Sequence, residues 1–226
     1  MSFRNEEGDD LTYNRQDLWA TTSNKQLNFV QHIRTMLKTT GRAAVVVPDK
    51  VPFEGGAGET VRRKLLANTD LHSILRLPTG ISSKPGVKAN VIFFDNRQAS
   101  PTPWTNEIWC YDYRTNIHHT SKKNTMHFED LAECIPCYNP QNRHKRQATW
   151  HETKSPNGRW RRVACVELIA RDKTSLDIVC IKDKSLTDLA NLPEPGVLEP
   201  GTSWRTSKPD SNASAGCWLG SGKSVR

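Results

Sequence analysis

The sequence predicts an α/β fold that holds only the second half of an open sheet. Two observations set the class. Amphipathic helical stretches alternate with short apolar runs, and the first of these runs follows its helix across a tight glycine turn. A third observation sets the incompleteness: none of the loops that would make such a sheet an enzyme by itself accompanies the strands.

Residues 1–22 are polar and acidic around Gly8-Asp9-Asp10 and read as a loop. Order begins at Ser23, where Ser23-Asn24-Lys25-Gln26 fits a capping box that satisfies orphan amides at a helix start. Leu27, Val30, Ile33 and Leu37 then recur at helical spacing, with Phe29 and Met36 widening the stripe, and Gly41 supplies the stop. Ala43-Ala44-Val45-Val46-Val47-Pro48 is apolar throughout, as expected of a strand covered on both faces in a parallel sheet. The loop Phe53-Glu54-Gly55-Gly56-Ala57-Gly58 leads into a second helix over residues 59–68, followed by strands over 71–77 and 89–94. Between those strands, turn-rich sequence carries Lys84 and Lys88. Ile108-Trp109-Cys110-Tyr111-Asp112-Tyr113 makes one more strand, near an edge, and completes an α/β domain over residues 23–115.

Residues 116–195 read as an α+β extension. It holds a short helix over 128–138 closed by Asn139-Pro140, then basic turn-like sequence at Arg143-His144-Lys145-Arg146 and Arg159-Trp160-Arg161-Arg162. A helical turn at 166–170 and a short strand over 176–179 follow. Residues 196–226, rich in Ser, Gly and Pro with isolated Trp204 and Trp218, lack the apolar surface to offset ordering entropy and are predicted to be disordered.

Composition agrees with partial packing, since 35% of the 226 residues are apolar and the mean hydropathy is −0.67. The net charge of +8 suits a polyanionic partner such as nucleic acid. No apolar run approaches the roughly 18 residues of a membrane span. The acidic N-terminus is no signal peptide, so no membrane partner is expected and the cytoplasm is the default. Six cysteines without a secretion signal are expected to be reduced thiols.

Candidate chemistry is sparse. The Gly55-Gly56-Ala57-Gly58 loop at a helix start can cradle phosphate or serve as a flexible connection; Glu59-Thr60 rules out a P-loop. Cys134-Ile135-Pro136-Cys137 has zinc-ligand spacing, but no second spaced pair follows, and no metal site is assigned. His118-His119 reads as solvated loop. Arg159, Arg161 and Arg162, interleaved with Trp160, either grip phosphate while the indole stacks on a base or form an exposed charge cluster on a connection. With Lys84 and Lys88 they make up the candidate DNA contacts. No catalytic residue is assigned.

One stretch is more specific. Asn14-Arg15-Gln16-Asp17-Leu18-Trp19-Ala20-Thr21-Thr22-Ser23-Asn24-Lys25-Gln26-Leu27-Asn28-Phe29 resembles the M subunit of type I restriction-modification systems, an N6-adenine DNA methyltransferase. The resemblance continues through Gly41-Arg42-Ala43-Ala44-Val45-Val46-Val47-Pro48, the Phe53–Gly58 loop, Leu77-Pro78-Thr79-Gly80-Ile81 and Val87-Lys88-Ala89-Asn90-Val91-Ile92-Phe93-Phe94. A weaker likeness extends from Trp109-Cys110-Tyr111-Asp112-Tyr113-Arg114 to about Pro195. It implies a Rossmann-like, S-adenosylmethionine-dependent fold, with DNA and the specificity (S) and restriction (R) subunits as partners.

That chemistry calls for a Phe-x-Gly-x-Gly turn for the methyl donor and an Asn-Pro-Pro-Phe loop for the flipped adenine. The loop's acceptors take up the amine hydrogens of a poorly nucleophilic N6. Neither motif occurs in the sequence, so the chain is expected to begin just downstream of that loop, as a fragment inactive alone that binds no cofactor itself. Ser82-Ser83 stands where the family places an aromatic, Val163-Ala164-Cys165-Val166 departs from its more polar pattern, and the likeness stops beyond Pro195. Half a sheet also leaves an unpaired strand edge. The alternative to a remnant methyltransferase is a non-catalytic basic module that binds DNA or a subunit.

Overall fold

A computed structural model describes residues 15–81, 86–120, 123–178 and 180–181. The expectations for residues 1–14, for Ser82-Ser83 and Lys84, for Val179 and for the tail lie outside the described residues. The chain runs α1 (Lys25–Met36), β1 (Arg42–Pro48), α2 (Lys50–Phe53), α3 (Ala57–Asn68), β2 (Thr69–Leu77), β3 (Ala89–Asn96), β4 (Glu107–Asp112), α4 (Cys134–Tyr138), β5 (Trp160–Ala164) and α5 (Cys165–Ala170).

Asn24, rather than Ser23, starts α1. Its Oδ1 accepts from the amides of Gln26 at 2.9 Å and Leu27 at 3.2 Å, an N-cap worth about 1 kcal/mol. Leu27 and Val30 are buried, whereas Phe29 and Met36, expected to widen the apolar stripe, are 53% and 63% exposed. Asn28 and Gln31 complete the inner face instead. Gln31 accepts from the Ala20 amide at 2.9 Å and donates to its carbonyl at 3.1 Å, while Asn28 donates to Thr22 O at 2.7 Å. These amide side chains strap the preceding segment onto the helix.

The five strands lie in the order β1-β3-β2-β4-β5. α3 carries the chain from β1 to β2, and β3 then turns back to insert between them, antiparallel to both. β4 pairs parallel with β2, and β5 antiparallel with β4. The sheet is therefore mixed, which corrects the expectation of buried parallel strands. β1 stands at the end of the sheet with Val46 66% exposed, because its described neighbour is the returning strand β3 and the cover on that face lies over β2, β4 and β5. β4 lies near an edge, as expected, one strand in from β5. Trp160, Arg161 and Arg162 form the start of β5 rather than a turn, with Arg159 just before it. The expected strand at 176–179 is absent among its described residues.

Strand alternation sorts the apolar side chains into two layers. Val45, Val47, Leu71, Ile74, Ile92, Phe94, Ile108 and Cys110 face α1, α3 and α5, where Leu27, Val30, Leu65, Leu66 and Leu168 meet them. Leu75, Leu77, Trp109, Tyr111, Tyr113 and Trp160 form the second layer, covered by Met126, Leu131 and α4. A register shift between Leu71 and Ser73 keeps Leu71 and Ile74 on one face.

Ion pairs pin the cover to the amino end of β2. Arg143 Nη2 lies 2.6 Å from Asp95 and 3.7 Å from Asp70, and Arg97 Nη2 lies within 3.6 Å of both carboxylates. His72 Nε2 is 3.6 Å from Asp95, with its ring against Phe93 and Tyr138. Burial, with the Arg143 charge beside it, pushes the imidazole down from 6.5 to about 3. Above 6.5 the contribution to stability is complete; as pH falls toward 3 it is lost, because the unfolded chain takes the proton first. The expected slope reaches about 1.4 kcal/mol per pH unit. Urea unfolding at successive pH values should show it, and His72→Gln should flatten it; an unchanged slope in that variant counts against the assignment.

Candidate functional site

β1, β2 and β4 run in one direction, so Pro48, Leu77 and Asp112 end at the same edge, where β3 enters at Ala89 and β5 at Trp160. The carboxyl ends of strands are where open α/β sheets place their ligands, because the connecting loops diverge there.

Arg114 organises this edge. Its Nε donates to Leu77 O at 3.0 Å and its Nη2 to Ala89 O at 2.9 Å and Asn90 Oδ1 at 3.0 Å. Nη1 donates to Asp49 Oδ2 at 2.8 Å, and Nη2 lies 2.7 Å from Asp49 Oδ1. One guanidinium thus ties the ends of β1 and β2 to the start of β3, using the planar fork that a lysine lacks. Burial raises the Asp49 pKa, but the hydrogen bonds from Arg114 and Asn90 and the Arg114 charge outweigh it, leaving the carboxyl below its usual value. Asp112, fully buried, accepts from the amides of Arg114 and Thr115 at 3.1 and 3.0 Å and from the Thr115 hydroxyl at 2.8 Å. Arg76 reaches from β2 to Ile178 O at 2.8 Å and Asp177 at 2.9 Å, which anchors the segment expected to be a strand.

Gly80 makes the closest loop approach. Its φ is +89°, and a Cβ there would fall 1.8 Å from His119 O. His119, expected in a solvated loop, is buried with Nε2 2.9 Å from the Tyr113 hydroxyl; only His118 of that pair is exposed. Asp49 and Asp112 are both occupied by hydrogen bonds. The arrangement positions loops and presents no nucleophile paired with a free base among the described residues.

The predicted DNA contacts divide. Lys88 is exposed just before β3, at the carboxyl edge. Arg159 enters β5 at the same edge, half-buried, with Nη1 donating to Asp112 O at 2.7 Å and Thr115 O at 3.1 Å. Arg161 lies over the Trp150 ring at 4.1 Å. Arg162 is 63% exposed and 3.5 Å from Glu107, at the opposite end of β4. Trp160 is 1% exposed and stacked on Trp109 at 5.5 Å, so it is not placed to stack on a base.

The glycine loop is self-contained. Gly58 donates its amide to Gly55 O and Thr60 to Gly56 O, and the Lys173 side chain packs 3.3 Å from where a Gly55 Cβ would lie. Beneath it sits Arg62, 2% exposed, which gave no sequence signal because its partners are main-chain carbonyls. Burial pushes the Cys134 thiol up to about 12 and raises that of Cys137.

A family model described as N-6 DNA Methylase matches residues 3–178. The chain is 40% identical over 201 residues to the type I restriction enzyme EcoKI methylase subunit of Escherichia coli K12, covering 78% of this chain and 38% of that one. It is 39% identical over 204 residues to the StySPI methylase subunit of Salmonella potsdam, with the same shares covered. The crystal structure of the EcoKI M protein superposes with a TM-score of 0.67 at 34% identity, over 78% of this chain and 43% of that one. A type I methyltransferase subunit from Streptococcus thermophilus, 21% identical, shares the fold at a TM-score of 0.53, over 70% of this chain and 30% of that one. The chain thus spans about two fifths of the length of the curated relatives it matches.

Proposed function

The chain belongs to the N-6 DNA methylase family, and from that premise we propose that it forms the second half of a Rossmann-like adenine-N6 methyltransferase domain, inactive by itself. The strand order carries the reading. Two parallel strands joined through α3, with the reversed β3 inserted between them, make the terminal part of such a sheet. β1, with Val46 exposed, is the strand on which the other half would continue.

The residues present do not suit S-adenosylmethionine. No Phe-x-Gly-x-Gly turn occurs in the sequence. The loop after β1 is committed to Arg114 and Asn90, and the loop at Gly55–Gly58 to its own amides and Lys173. The cofactor, the adenine-holding Asn-Pro-Pro-Phe loop and the S and R subunits belong to the complete assembly. Lys84, Lys88, Arg159, Arg161 and Arg162 remain its candidate phosphate contacts, with Lys88 and Arg162 the most exposed of those described. No described helix is long and apolar enough to cross a membrane; a cytoplasmic setting, where DNA is reached, fits this reading.

Labelled-methyl transfer to adenine in DNA tests the proposal. The chain alone should transfer none. Transfer should return when it is mixed with a polypeptide bearing the two missing motifs and with a specificity subunit. Transfer by the isolated chain overturns the reading. Salt-dependent DNA binding without recovered transfer would favour a basic binding module instead.

A further inference from the structure

The proposed function makes no use of Cys134-Ile135-Pro136-Cys137. This run opens α4, and both of its cysteines are half-buried, whereas the other described cysteines, Cys110, Cys165 and Cys180, are buried. Cys134 and Cys137 pack against the second layer of the core, and Cys134 also reaches the apolar space beneath α4 beside Leu75 and Trp160. Side chains three apart on a helix share a face. The thiols sense each other: burial, and then the charge of Cys137, oppose ionisation of Cys134, and the Arg146 charge favours it more weakly.

Helix geometry places Cα atoms three residues apart at about 5 Å, inside the roughly 4.4–6.8 Å over which a disulfide forms. The Cβ atoms, about 5–6 Å apart in a regular helix, must approach to about 4 Å. Two features let α4 tighten that far. Pro136 has no amide to give to the Ala132 carbonyl, so the turn that joins the cysteines lacks a helix hydrogen bond. The helix also lasts only five residues and ends at Asn139 with φ +41°.

We propose that Cys134 and Cys137 form a reversible dithiol–disulfide site whose reactant is a small-molecule disulfide. Cys137, which does not line the apolar space that Cys134 reaches, reacts first. Its thiolate attacks one sulfur of the reactant and expels the other as a thiolate, which takes up the proton Cys137 released. Cys134 then loses its proton and attacks the Cys137 sulfur. The bond between the two cysteines forms, and the second thiolate leaves and is protonated. Two cysteine thiols are oxidised and one disulfide is reduced to two thiols. The new bond fixes the helix whose Tyr138 ring packs on Phe93 at 5.3 Å and on His72 at 6.0 Å.

Oxidised glutathione is the probe, added to the full chain, with disulfide positions read by peptide mass mapping. The expected product is a link from Cys134 to Cys137 that dithiothreitol reverses. It should form about tenfold faster per pH unit up to pH 9, because the thiolate reacts and burial, with the Glu133 charge, holds the Cys137 thiol above its ordinary 9.0. Cys134→Ser should stop at a glutathione adduct on Cys137. Phenylarsine oxide, which bridges two adjacent thiols with loss of water, should survive a monothiol wash on the parent and be released from Cys134→Ser and Cys137→Ser, each checked for folding by circular dichroism. The proposal is overturned if the folded chain forms no Cys134–Cys137 link, if oxidation joins the buried neighbours Cys110 and Cys180 instead, or if a serine variant holds the arsenical as well as the parent does.

Discussion

Arg62→Met is expected to lower the unfolding free energy by about 3–5 kcal/mol, because four main-chain carbonyls lose their donor and each one left buried and unsatisfied costs about 1–3 kcal/mol. The guanidinium donates to Thr174 O at 3.0 Å, Val51 O at 2.8 Å, Glu54 O at 2.6 Å and Lys173 O at 2.5 Å. It therefore joins α3 to the turn below it and to a segment more than a hundred residues on. That segment is itself unfavourable, because Lys173 and Thr174 hold φ values of +53° and +49°, which cost non-glycine residues on the order of 1–3 kcal/mol each. Methionine keeps most of the apolar stem and removes every donor, leaving those carbonyls unpaired around a well-filled site. Arg63→Met is the comparison: Arg63 is 47% exposed and, among the described residues, pairs with Glu59, so about 0.5 kcal/mol or less should be lost. Thermal unfolding should put the Arg62 variant roughly 10 °C below the parent, at about 2–4 °C per kcal/mol for a chain of this size. Equal midpoints for the two variants would show that Arg62 holds nothing together.

Arg114→Lys should cost about 2–4 kcal/mol, because an ammonium cannot reproduce the fork that meets Asp49, Leu77, Ala89 and Asn90 at once. Its second effect is electrostatic. With the guanidinium hydrogen bonds gone, burial dominates Asp49, and its carboxyl pKa should rise. In the parent, the lowered Asp49 pKa contributes stability that is complete above the ordinary carboxylate value and is lost as pH falls through the folded value. The variant should lose that acid-side contribution. Carboxyl carbon NMR titration reads the shift, and urea unfolding reads the stability. An unmoved Asp49 titration would contradict the role given to Arg114.

Elements whose apolar side chains repeat at a regular spacing were legible in the sequence. The buried side of α1, the length of α3 and the positions of β1, β2 and β3 follow from Leu27, Val30, Val45, Leu65, Leu71 and Phe94. The returning strand β3 was legible as a strand but not in its place, because hydrophobic pattern says nothing about which side of β2 a hairpin folds to. β5 was missed because its two buried side chains, Trp160 and Val163, sit among arginines and three residues apart across two layers. The two organising arginines, Arg62 and Arg114, gave no signal for another reason. The acceptors of Arg62 are main-chain carbonyls, which every residue carries, and the side-chain partners of Arg114, Asp49 and Asn90, lie far from it in sequence, so no local pattern marks the site. The family resemblance was legible in the segment from Asn14 to Phe29 and in β3. It placed the chain in the N-6 DNA methylase family but could not tell which of the candidate cations Lys88, Arg159, Arg161 and Arg162 are already engaged within the fold.

We have proposed that this chain forms the distal half of a methyltransferase sheet and has no donor site of its own. Titrating S-adenosylmethionine into the purified, folded chain by calorimetry tests it most directly. No saturable heat is expected at millimolar cofactor, and stoichiometric binding would contradict the proposal.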